Sequence, residues 1–319
     1  MLFRSSKLAL VFPGQGSQKI GMLAELAAQH SLIEETFNEA SEVLGYDMWS
    51  LVQSGSQEDI NLTERTQPIL LASSVAIWRL WNANGGPQPS RLAGHSLGEW
   101  SALVCSNAVG FADGLRIVQA RGQYMQQAVP VGEGAMAAII GLDDKTIIDA
   151  CAAAASGDVI DAVNYNAPGQ VVIAGSTAAV NRAIENCKEA GAKRALPLPV
   201  SAPFHTSLMK PAADKLAEIV DAVDFSAPDV PVIHNVHAQT ESDPDNIRKL
   251  MLEQIYSPVK WVDCVKQLKQ SGADTLVECG PGKVLSGLTK RIDRELQAMA
   301  TDSVTDFDNA LTTLNDSKE

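Results

Sequence analysis

The residues best suited to chemistry lie in the segment Gly94-His95-Ser96-Leu97-Gly98-Glu99. Gly-x-Ser-x-Gly is the pattern of a nucleophile elbow, in which a strand turns sharply into a helix and holds a serine at the apex. A side chain at either glycine would collide with the neighbouring strand or helix. The Ser96 hydroxyl would stand clear of the backbone, and the Leu97 N–H would point to where an oxyanion forms. Ordinary glycine-rich turns also match so short a pattern, so both interpretations stay open.

A serine hydroxyl needs a base that accepts its proton, and five histidines are available. His205 is the best candidate, because it lies in a proline-containing loop and follows the serine in chain order, as in hydrolase-like sheets; a purely structural loop histidine is the alternative. We expect the His95 ring to point away from the serine and to pack. His234 and His237, three apart on a predicted strand, should face opposite ways and make a poor metal pair. No acid stands out as a third member, and orientation of the imidazole by a backbone carbonyl or an amide would suit a thioester substrate, whose thiolate leaves easily.

Two further polar side chains are candidates. Gln15 lies between two glycines at the carboxyl end of a predicted strand, the edge where parallel sheets bind ligands; a solvated glutamine in a plain turn is the alternative. Arg121 and Met125 are four residues apart and therefore neighbours on a predicted helix; a solvated or capping arginine is the alternative. Lys19 replaces a glycine of the dinucleotide-binding pattern, so the loop after the first strand resembles a phosphate-binding loop only superficially. Gly-Pro-Gly-Lys at 280–283 lacks the upstream glycine of a P-loop, so we reject a nucleotide role for that loop.

The elements around these residues predict an α/β fold with two domains. The large domain, 1–131 and 200–300, reads as a hydrolase-like parallel sheet with strands at 8–12, 90–93, 230–236 and 275–278. Residues 132–199 follow the order βαββαβ, which predicts an inserted ferredoxin-like small domain. We expect the last helix to run to about Gln297, and the acidic tail, 301–319, to be mobile.

Composition limits the class of protein. The 319 residues are 45% hydrophobic and 20% charged, as in globular proteins, and the net charge of −13 argues against nucleic acid and anionic membranes as partners. Five cysteines with no Cys-x-x-Cys pair indicate reduced thiols. The first apolar run is too short for a secretory signal, and no run reaches transmembrane length. We therefore expect a cytoplasmic protein.

Together, these motifs closely resemble the malonyl-CoA:acyl-carrier-protein transacylase family of bacterial type II fatty-acid synthesis. The resemblance covers nearly the whole chain, and the motifs are specific only in combination. They are Phe-Pro-Gly-Gln-Gly-Ser-Gln at 12–18, Thr-Gln-Pro at 66–68, Gly-His-Ser-Leu-Gly-Glu at 94–99, Arg-Gly-Gln at 121–123, Asn-Ala-Pro-Gly-Gln at 166–170, Phe-His at 204–205 and Gly-Pro-Gly-Lys at 280–283. Pro203 is a departure, because many relatives carry a small residue there.

The resemblance implies the catalytic roles. Ser96 would carry the malonyl group as an ester, with His205 as base and then acid. The oxyanion would lie between the Leu97 N–H and the backbone at Gln15. Gln254 would help to hold the histidine.

The resemblance also implies the substrate contacts. Arg121 would pair with the free malonyl carboxylate, and an acetyl group would leave that arginine unpaired. Asn166 would lie near the cleft from the small domain. Phe204, beside the base, would crowd an α-methyl substituent, and Met125 would line the acyl site. No metal and no bound cofactor are implied, because the substrates are malonyl-CoA and the phosphopantetheine thiol of acyl carrier protein.

The expected partner is an acidic carrier protein, and we expect the enzyme to be a monomer. Since this chain is acidic too, docking needs a local basic face; a solvated set of lysines and arginines is the alternative. The candidates are Lys193, Arg194, Lys283, Lys290 and Arg291.

Three hypotheses follow. Malonyl transfer is favoured by the joint occurrence of Ser96, His205, Arg121 and Gln15. A serine hydrolase or thioesterase could use the same elbow and would release free malonate, but the missing triad acid counts against it. A carrier-protein-binding scaffold without catalysis would form no adduct on the serine.

Overall fold

A parallel sheet of five strands forms the centre of the larger unit in the computed structural model, which describes residues 4–200 and 202–316. The strand order is β7-β2-β1-β8-β9, and all neighbours are parallel. The bounds are β1 Arg4–Phe12, β2 Gln88–Gly94, β7 Val232–Ile233, β8 Thr275–Glu278 and β9 Gln297–Ala300. Leu8, Leu10 and Phe12 of β1 are fully buried, as expected for a central strand covered on both faces.

The helices before the second sheet cover one side of this parallel sheet. The longest, α5, is buried along most of its length and packs on α7. The order is α1 Ala24–Gln29, α2 Ser31–Leu44, α3 Met48–Ser54, α4 Gln57–Asn61, α5 Thr63–Ala83, α6 Leu97–Cys105 and α7 Phe111–Gln127. Only two residues, His95 and Ser96, separate the end of β2 from the start of α6, which produces the sharp turn at the predicted elbow.

A second, antiparallel sheet occupies the middle of the chain, with strand order β4-β5-β3-β6. Its elements are β3 Gly134–Ile140, α8 Asp144–Ala154, β4 Ile160–Ala167, β5 Gln170–Ser176, α9 Thr177–Glu189 and β6 Arg194–Pro197. The two helices and the sheet enclose a separate apolar core that includes Ile139, Ile173 and Ala183. The strand β4 also joins the larger unit, because Tyr165 N–H donates to the Val259 carbonyl and Val259 N–H donates to the Val163 carbonyl.

The chain then completes the larger unit. A 3-10 turn, Ser207–Met209, leads into α10 Lys210–Asp221; α11 Pro244–Glu253 and a 3-10 turn, Gln254–Tyr256, follow β7. The remaining helices are α12 Trp261–Gln270, α13 Val284–Ile292 and α14 Val304–Asp316. Within the described ranges no helix has the length and apolar character needed to cross a membrane.

Two predicted elements in this part of the chain have the wrong bounds. The strand predicted over 230–236 is only Val232–Ile233, because the backbone turns at His234, whose carbonyl accepts from Ala238 N–H. The last predicted helix ends at Ile292 rather than Gln297, which begins strand β9.

The tail predicted to be mobile instead forms α14. Phe307 is buried and its ring meets the Trp81 ring edge-on at 6.2 Å. Ala310 is also buried and Val304, Leu311 and Leu314 pack on the same core, so an apolar face attaches this acidic helix to the larger unit. Of the ranges predicted above, residues 1–3, 201 and 317–319 lie outside the described residues.

Candidate active site

The elbow at Ser96 has a backbone conformation that few residues adopt. Ser96 has φ 51° and ψ −106°, a sparsely populated region that costs about 1–3 kcal/mol. A Cβ on Gly94 would overlap the backbone of Gly98, and a Cβ on Gly98 would overlap the carbonyl of Phe12. Both glycines are therefore required by close backbone approach, as the sequence pattern predicts.

Two amide side chains fix this strained peptide. Asn235 accepts from the Ser96 N–H at 2.8 Å and donates to the Gly94 carbonyl at 2.7 Å. Gln254 donates to the Ser96 carbonyl at 2.9 Å. The hydrogen bonds offset part of the strain and leave the serine hydroxyl as the group that is free to react.

The structure brings His205 and Ser96 together, although 109 residues separate them. His205 Nε2 lies 2.8 Å from Ser96 Oγ, and its Nδ1 lies 2.9 Å from the Gln254 carbonyl oxygen. Because a carbonyl oxygen only accepts, Nδ1 carries the proton and Nε2 is free to accept the serine proton. A backbone carbonyl thus takes the place of the acid in a triad.

Burial strongly affects the basicity of this histidine. His205 is almost fully buried, and its pKa is lowered from 6.5 to about 3. Desolvation is the largest cause of this lowering and the charge of Arg121 is the second, whereas the hydrogen bond to the Gln254 carbonyl raises the pKa.

Arg121 points from α7 at the same serine. Its Nη2 atom donates to Ser96 Oγ at 3.1 Å and to Gln254 Oε1 at 2.9 Å, and its Nη1 atom donates to Gln67 Oε1 at 2.7 Å. The side chain is buried, which lowers its pKa to about 10, while the charge of Glu99 raises it. The Arg121 Nε atom is buried and has no partner within the described part of the chain. A buried guanidinium with neutral partners is suited to bind a carboxylate.

Behind the serine lies a group of four buried polar residues that we call the deep wall: Glu99, His234, Asn235 and Gln254. Glu99 accepts from His234 Nδ1 at 2.6 Å, from the Asn235 N–H at 3.0 Å and from Gln254 Nε2 at 2.8 Å. The Gln254 amide therefore lies between a buried anion, Glu99, and a buried cation, Arg121. The sequence predicts that His234 and His237 face opposite ways on a strand, and this is wrong. The strand ends at Ile233, and the centroids of the two rings are 5.9 Å apart.

An open cleft lies on the other side of the serine. Among the predicted residues, its lining includes Gln15, Leu97, Met125 and Phe204 together with Ser96, His205 and Arg121. Leu97 is the first residue of α6, so its N–H has no partner inside the helix and is available to an oxyanion. Gln15 is exposed in the loop after β1.

The second sheet places two asparagines at or near the cleft, the predicted Asn166 and also Asn164. Asn166 does not line the cleft; its Oδ1 lies 2.8 Å from His95 Nε2, and His95 is itself part of the lining. The His95 ring packs, as expected, with its centroid 5.6 Å from that of the Trp261 ring. Asn164, two residues earlier on the same strand, lines the cleft with a buried Oδ1 that has no partner in the described structure.

Several site residues have no predicted role of their own: Gln67, Glu99, Asn164 and Asn235. Gln67 and Glu99 do occur inside motifs that carry the resemblance, which is the only sequence signal for them. In the described ranges no group of three or more His, Cys, Asp and Glu side chains is placed to hold a metal ion.

A serine with a histidine base and a helix N-terminus at the carboxyl edge of a parallel sheet defines an acyl-transfer class of enzyme. The acyl transferase domain family matches residues 9–305. A Salmonella typhimurium protein named malonyl CoA-acyl carrier protein transacylase is 55% identical over 96% of this chain and 99% of its own length. The chain therefore belongs to the acyl transferase family, among the malonyl CoA-acyl carrier protein transacylases.

Two solved structures agree with this assignment. An acyl carrier protein S-malonyltransferase from Vibrio cholerae is 58% identical, with a TM-score of 0.93, covering 95% of this chain and 99% of that one. A malonyl-transacylase solved in complex with a type II PKS acyl-carrier protein is 52% identical, with a TM-score of 0.95, covering 96% of this chain and 99% of that one.

Proposed function

We propose that the protein transfers a malonyl group from coenzyme A to the phosphopantetheine thiol of acyl carrier protein through an ester on Ser96. The observation that carries the proposal is that one atom, Ser96 Oγ, is contacted by both the His205 base and the Arg121 cation. The histidine serves the reaction at the thioester carbonyl. The arginine serves the carboxylate at the other end of the acyl group.

In the first half-reaction, His205 Nε2 takes the proton of the Ser96 hydroxyl as Oγ attacks the thioester carbonyl carbon. The carbonyl oxygen becomes an oxyanion beside the Leu97 N–H and the Gln15 backbone. The carbon–sulfur bond then breaks, and the coenzyme A thiolate takes the proton from His205. The products are a malonyl ester on Ser96 and free coenzyme A.

In the second half-reaction, the carrier-protein thiol gives its proton to His205 and attacks the ester carbonyl. The ester bond breaks, the serine oxygen recovers the proton from His205, and malonyl leaves as a thioester of the carrier protein. No group is oxidised or reduced in either half-reaction.

Selection of the acyl group rests on the buried end of the cleft. Arg121 pairs with the malonyl carboxylate there, and Met125 packs along the acyl chain. Phe204 lies beside His205 and crowds an α-methyl substituent, an effect of roughly 1–3 kcal/mol for one methyl group.

The partner and the organisation of the chain are part of the proposal. One similar enzyme was solved with an acyl-carrier protein, which supports such a partner here. Of the basic candidates, Lys283 forms ion pairs with Asp306 and Asp302 and Arg291 contacts Gln170, so Lys193, Arg194 and Lys290 are the stronger docking candidates.

We also propose that the protein is a cytoplasmic monomer and that residues 132–199 form a separate small domain. The strand order and helix placement of that segment support an inserted ferredoxin-like domain. The flanking ranges 1–131 and 200–300 then make up the catalytic domain.

The test is a two-stage assay. Purified protein is first loaded with malonyl-CoA, and phosphopantetheinylated acyl carrier protein is then added while malonyl-carrier thioester and free malonate are both quantified. Transfer predicts stoichiometric malonyl-carrier and little malonate. Rapid malonate release without a thiol acceptor would instead identify a thioesterase. Ser96→Ala should abolish both products, and Ser101→Ala, which removes a buried hydroxyl from the helix that follows Ser96, should leave them unchanged.

A further inference from the structure

The Ser96 hydroxyl oxygen is shared by a base and by a cation. His205 Nε2 lies 2.8 Å from it and Arg121 Nη2 lies 3.1 Å from it. A hydrogen bond from a guanidinium draws electron density from the oxygen that must attack. The same positive charge opposes the imidazolium that forms when His205 accepts the proton.

The burial of Arg121 shows that desolvation alone cannot explain selection of the acyl group. Arg121 is only 1% exposed, so protein atoms alone already remove its charge from water. An acetyl group therefore adds little desolvation cost, although it offers no carboxylate. Discrimination must come from what a carboxylate adds.

Burial lowers the His205 pKa most, and among the neighbouring charges that of Arg121 has the largest effect on it. Arg121 of α7 and His95 after β2 both lower the His205 pKa, and the backbone carbonyls of Gln254 and Ser257 raise it. Glu99 of α6 faces Arg121 and reaches it through the Gln254 amide. No carboxylate among the described residues contacts Arg121 directly in the hydrogen bonds of the site, since its acceptors are Gln67, Gln254 and Ser96.

We propose that the substrate's own carboxylate activates the Ser96–His205 pair by drawing Arg121 away from Ser96 Oγ and neutralising its charge. This inference rests on the proposed malonyl transfer. The activated step is the first half-reaction: the serine proton moves to His205 Nε2, Oγ bonds to the thioester carbon, the carbon–sulfur bond breaks and the thiolate takes the proton. A neutral acyl group leaves the Arg121 hydrogen bond in place and the base suppressed.

The inference predicts which kinetic constant differs between malonyl-CoA and acetyl-CoA. If Arg121 acted through binding alone, acetyl-CoA would differ from malonyl-CoA chiefly in KM. Activation by the carboxylate predicts that acetyl-CoA at saturation still acylates the serine slowly, so that the difference lies in the rate constant.

The experiment supplies the carboxylate separately. Acetyl-CoA at saturation is mixed with the full-length protein, with and without sodium formate, and the acetyl-enzyme is followed by rapid quench and intact mass. Formate is small enough to occupy the place of the missing carboxylate beside Arg121. We expect formate to raise the acetylation rate constant about tenfold. Formamide, which is neutral, and sodium chloride, which supplies no carboxylate, should have no such effect.

Two variants sharpen the result. Arg121→Met removes the charge at similar length, and we expect a higher saturating acetylation rate constant than in the wild type and no response to formate. Arg116→Met, an exposed position on the same helix, should respond as the wild type does. A rise in both the formate and Arg121→Met arms supports the inference; a rise in neither, or a change confined to KM, overturns it. Malonyl-CoA is run in parallel, and only absence of its adduct on Ser96 would overturn the proposed function itself.

Discussion

Two carboxylates in this molecule, Glu99 and Glu278, are equally buried but have different hydrogen-bond partners. Glu99 belongs to the deep wall behind Ser96, where it accepts from His234, Asn235 and Gln254. Glu278, at the end of β8, accepts from the Leu285 and Ser286 N–H groups at the start of α13 and from the Ser286 hydroxyl. We call this second region the cap region.

The difference teaches that burial of an acid does not by itself indicate function. Glu278 satisfies the N–H groups of a helix N-terminus, which is a structural use of a carboxylate. Glu99 accepts from the side chains of His234 and Gln254 and from the backbone N–H of Asn235. Asn235 and Gln254 in turn hydrogen-bond the backbone of Ser96. A change at Glu99 should therefore alter catalysis, and a change in the cap region should alter stability.

The largest effect expected is on stability, from the helix that follows the cap region. Phe307→Ala removes a buried ring that packs on Trp81, and we expect a loss of about 3–5 kcal/mol in the free energy of unfolding. Chemical denaturation measures this loss in the free energy of unfolding. Thr312→Ala, exposed on the same helix, should change stability by less than about 0.5 kcal/mol. Equal stability of both variants would mean that α14 is not anchored to the core.

Glu278→Gln is the direct test of the cap region. An amide offers one acceptor where the carboxylate offers two, so a backbone N–H of α13 loses its partner and stability should fall by about 1–3 kcal/mol. Malonylation of Ser96 should be unchanged. A large loss of activity with normal stability would break the comparison.

The cap region also predicts a dependence of stability on pH. Burial raises the Glu278 pKa from 4.5 to about 7, so the folded state binds this proton more tightly than the unfolded chain does. The resulting stabilisation is complete below pH 4.5 and is lost as the pH rises through 7. The difference in unfolding free energy between wild type and Glu278→Gln should therefore shrink over that range, and a constant difference would contradict the assignment.

Glu99→Gln tests the deep wall with little expected change in packing. The amide oxygen can accept from Asn235 and Gln254, and the amide nitrogen can donate to His234 Nδ1 after a tautomer change, so only the charge is removed. Without this anion the charge of Arg121 is less balanced, and we expect the rate constant for Ser96 malonylation to fall about tenfold. Glu278→Gln is the matched control. An unaltered rate would remove Glu99 from the account.

The smallest expected signal is in the pH profile of activity. Because the His205 pKa is lowered to about 3, the imidazole stays neutral at pH values well below 6.5, its ordinary pKa. The kcat/KM for malonyl-CoA, which reports the free enzyme, should show no acid limb from His205 down to about pH 5. In kcat the limb should lie at higher pH, since the bound carboxylate balances Arg121. An acid limb in kcat/KM near pH 6.5 would contradict the burial of this base.

How much of this could be predicted depends on how local the signal is. The elbow was predicted in detail because its glycines and serine are adjacent and each has a steric reason that the structure confirms at Gly94 and Gly98. The antiparallel βαββαβ segment was predictable for the same reason, since turns and caps such as Ser176 are local signals.

Local patterns do not predict the deep wall, because its contacts join distant parts of the chain, and of its four residues only Gln254 is given a role by the family resemblance. Asn235 meets Ser96 across 139 residues, and nothing in its own neighbourhood marks it as part of a site. Strand β9 and helix α14 were missed for a related reason. The strand is four residues long, and the acidic helix packs on the core through Phe307 and a few smaller apolar contacts, so the tertiary contacts outweigh the local composition.

The central claim is that malonyl-CoA acylates Ser96 itself, and mass spectrometry tests it most directly. After brief incubation with malonyl-CoA, the intact protein should gain the mass of one malonyl group, and fragmentation of the digested protein should place that group on Ser96. His205→Ala should form the same adduct far more slowly. An adduct on another residue, or one that persists in Ser96→Ala, would contradict the account.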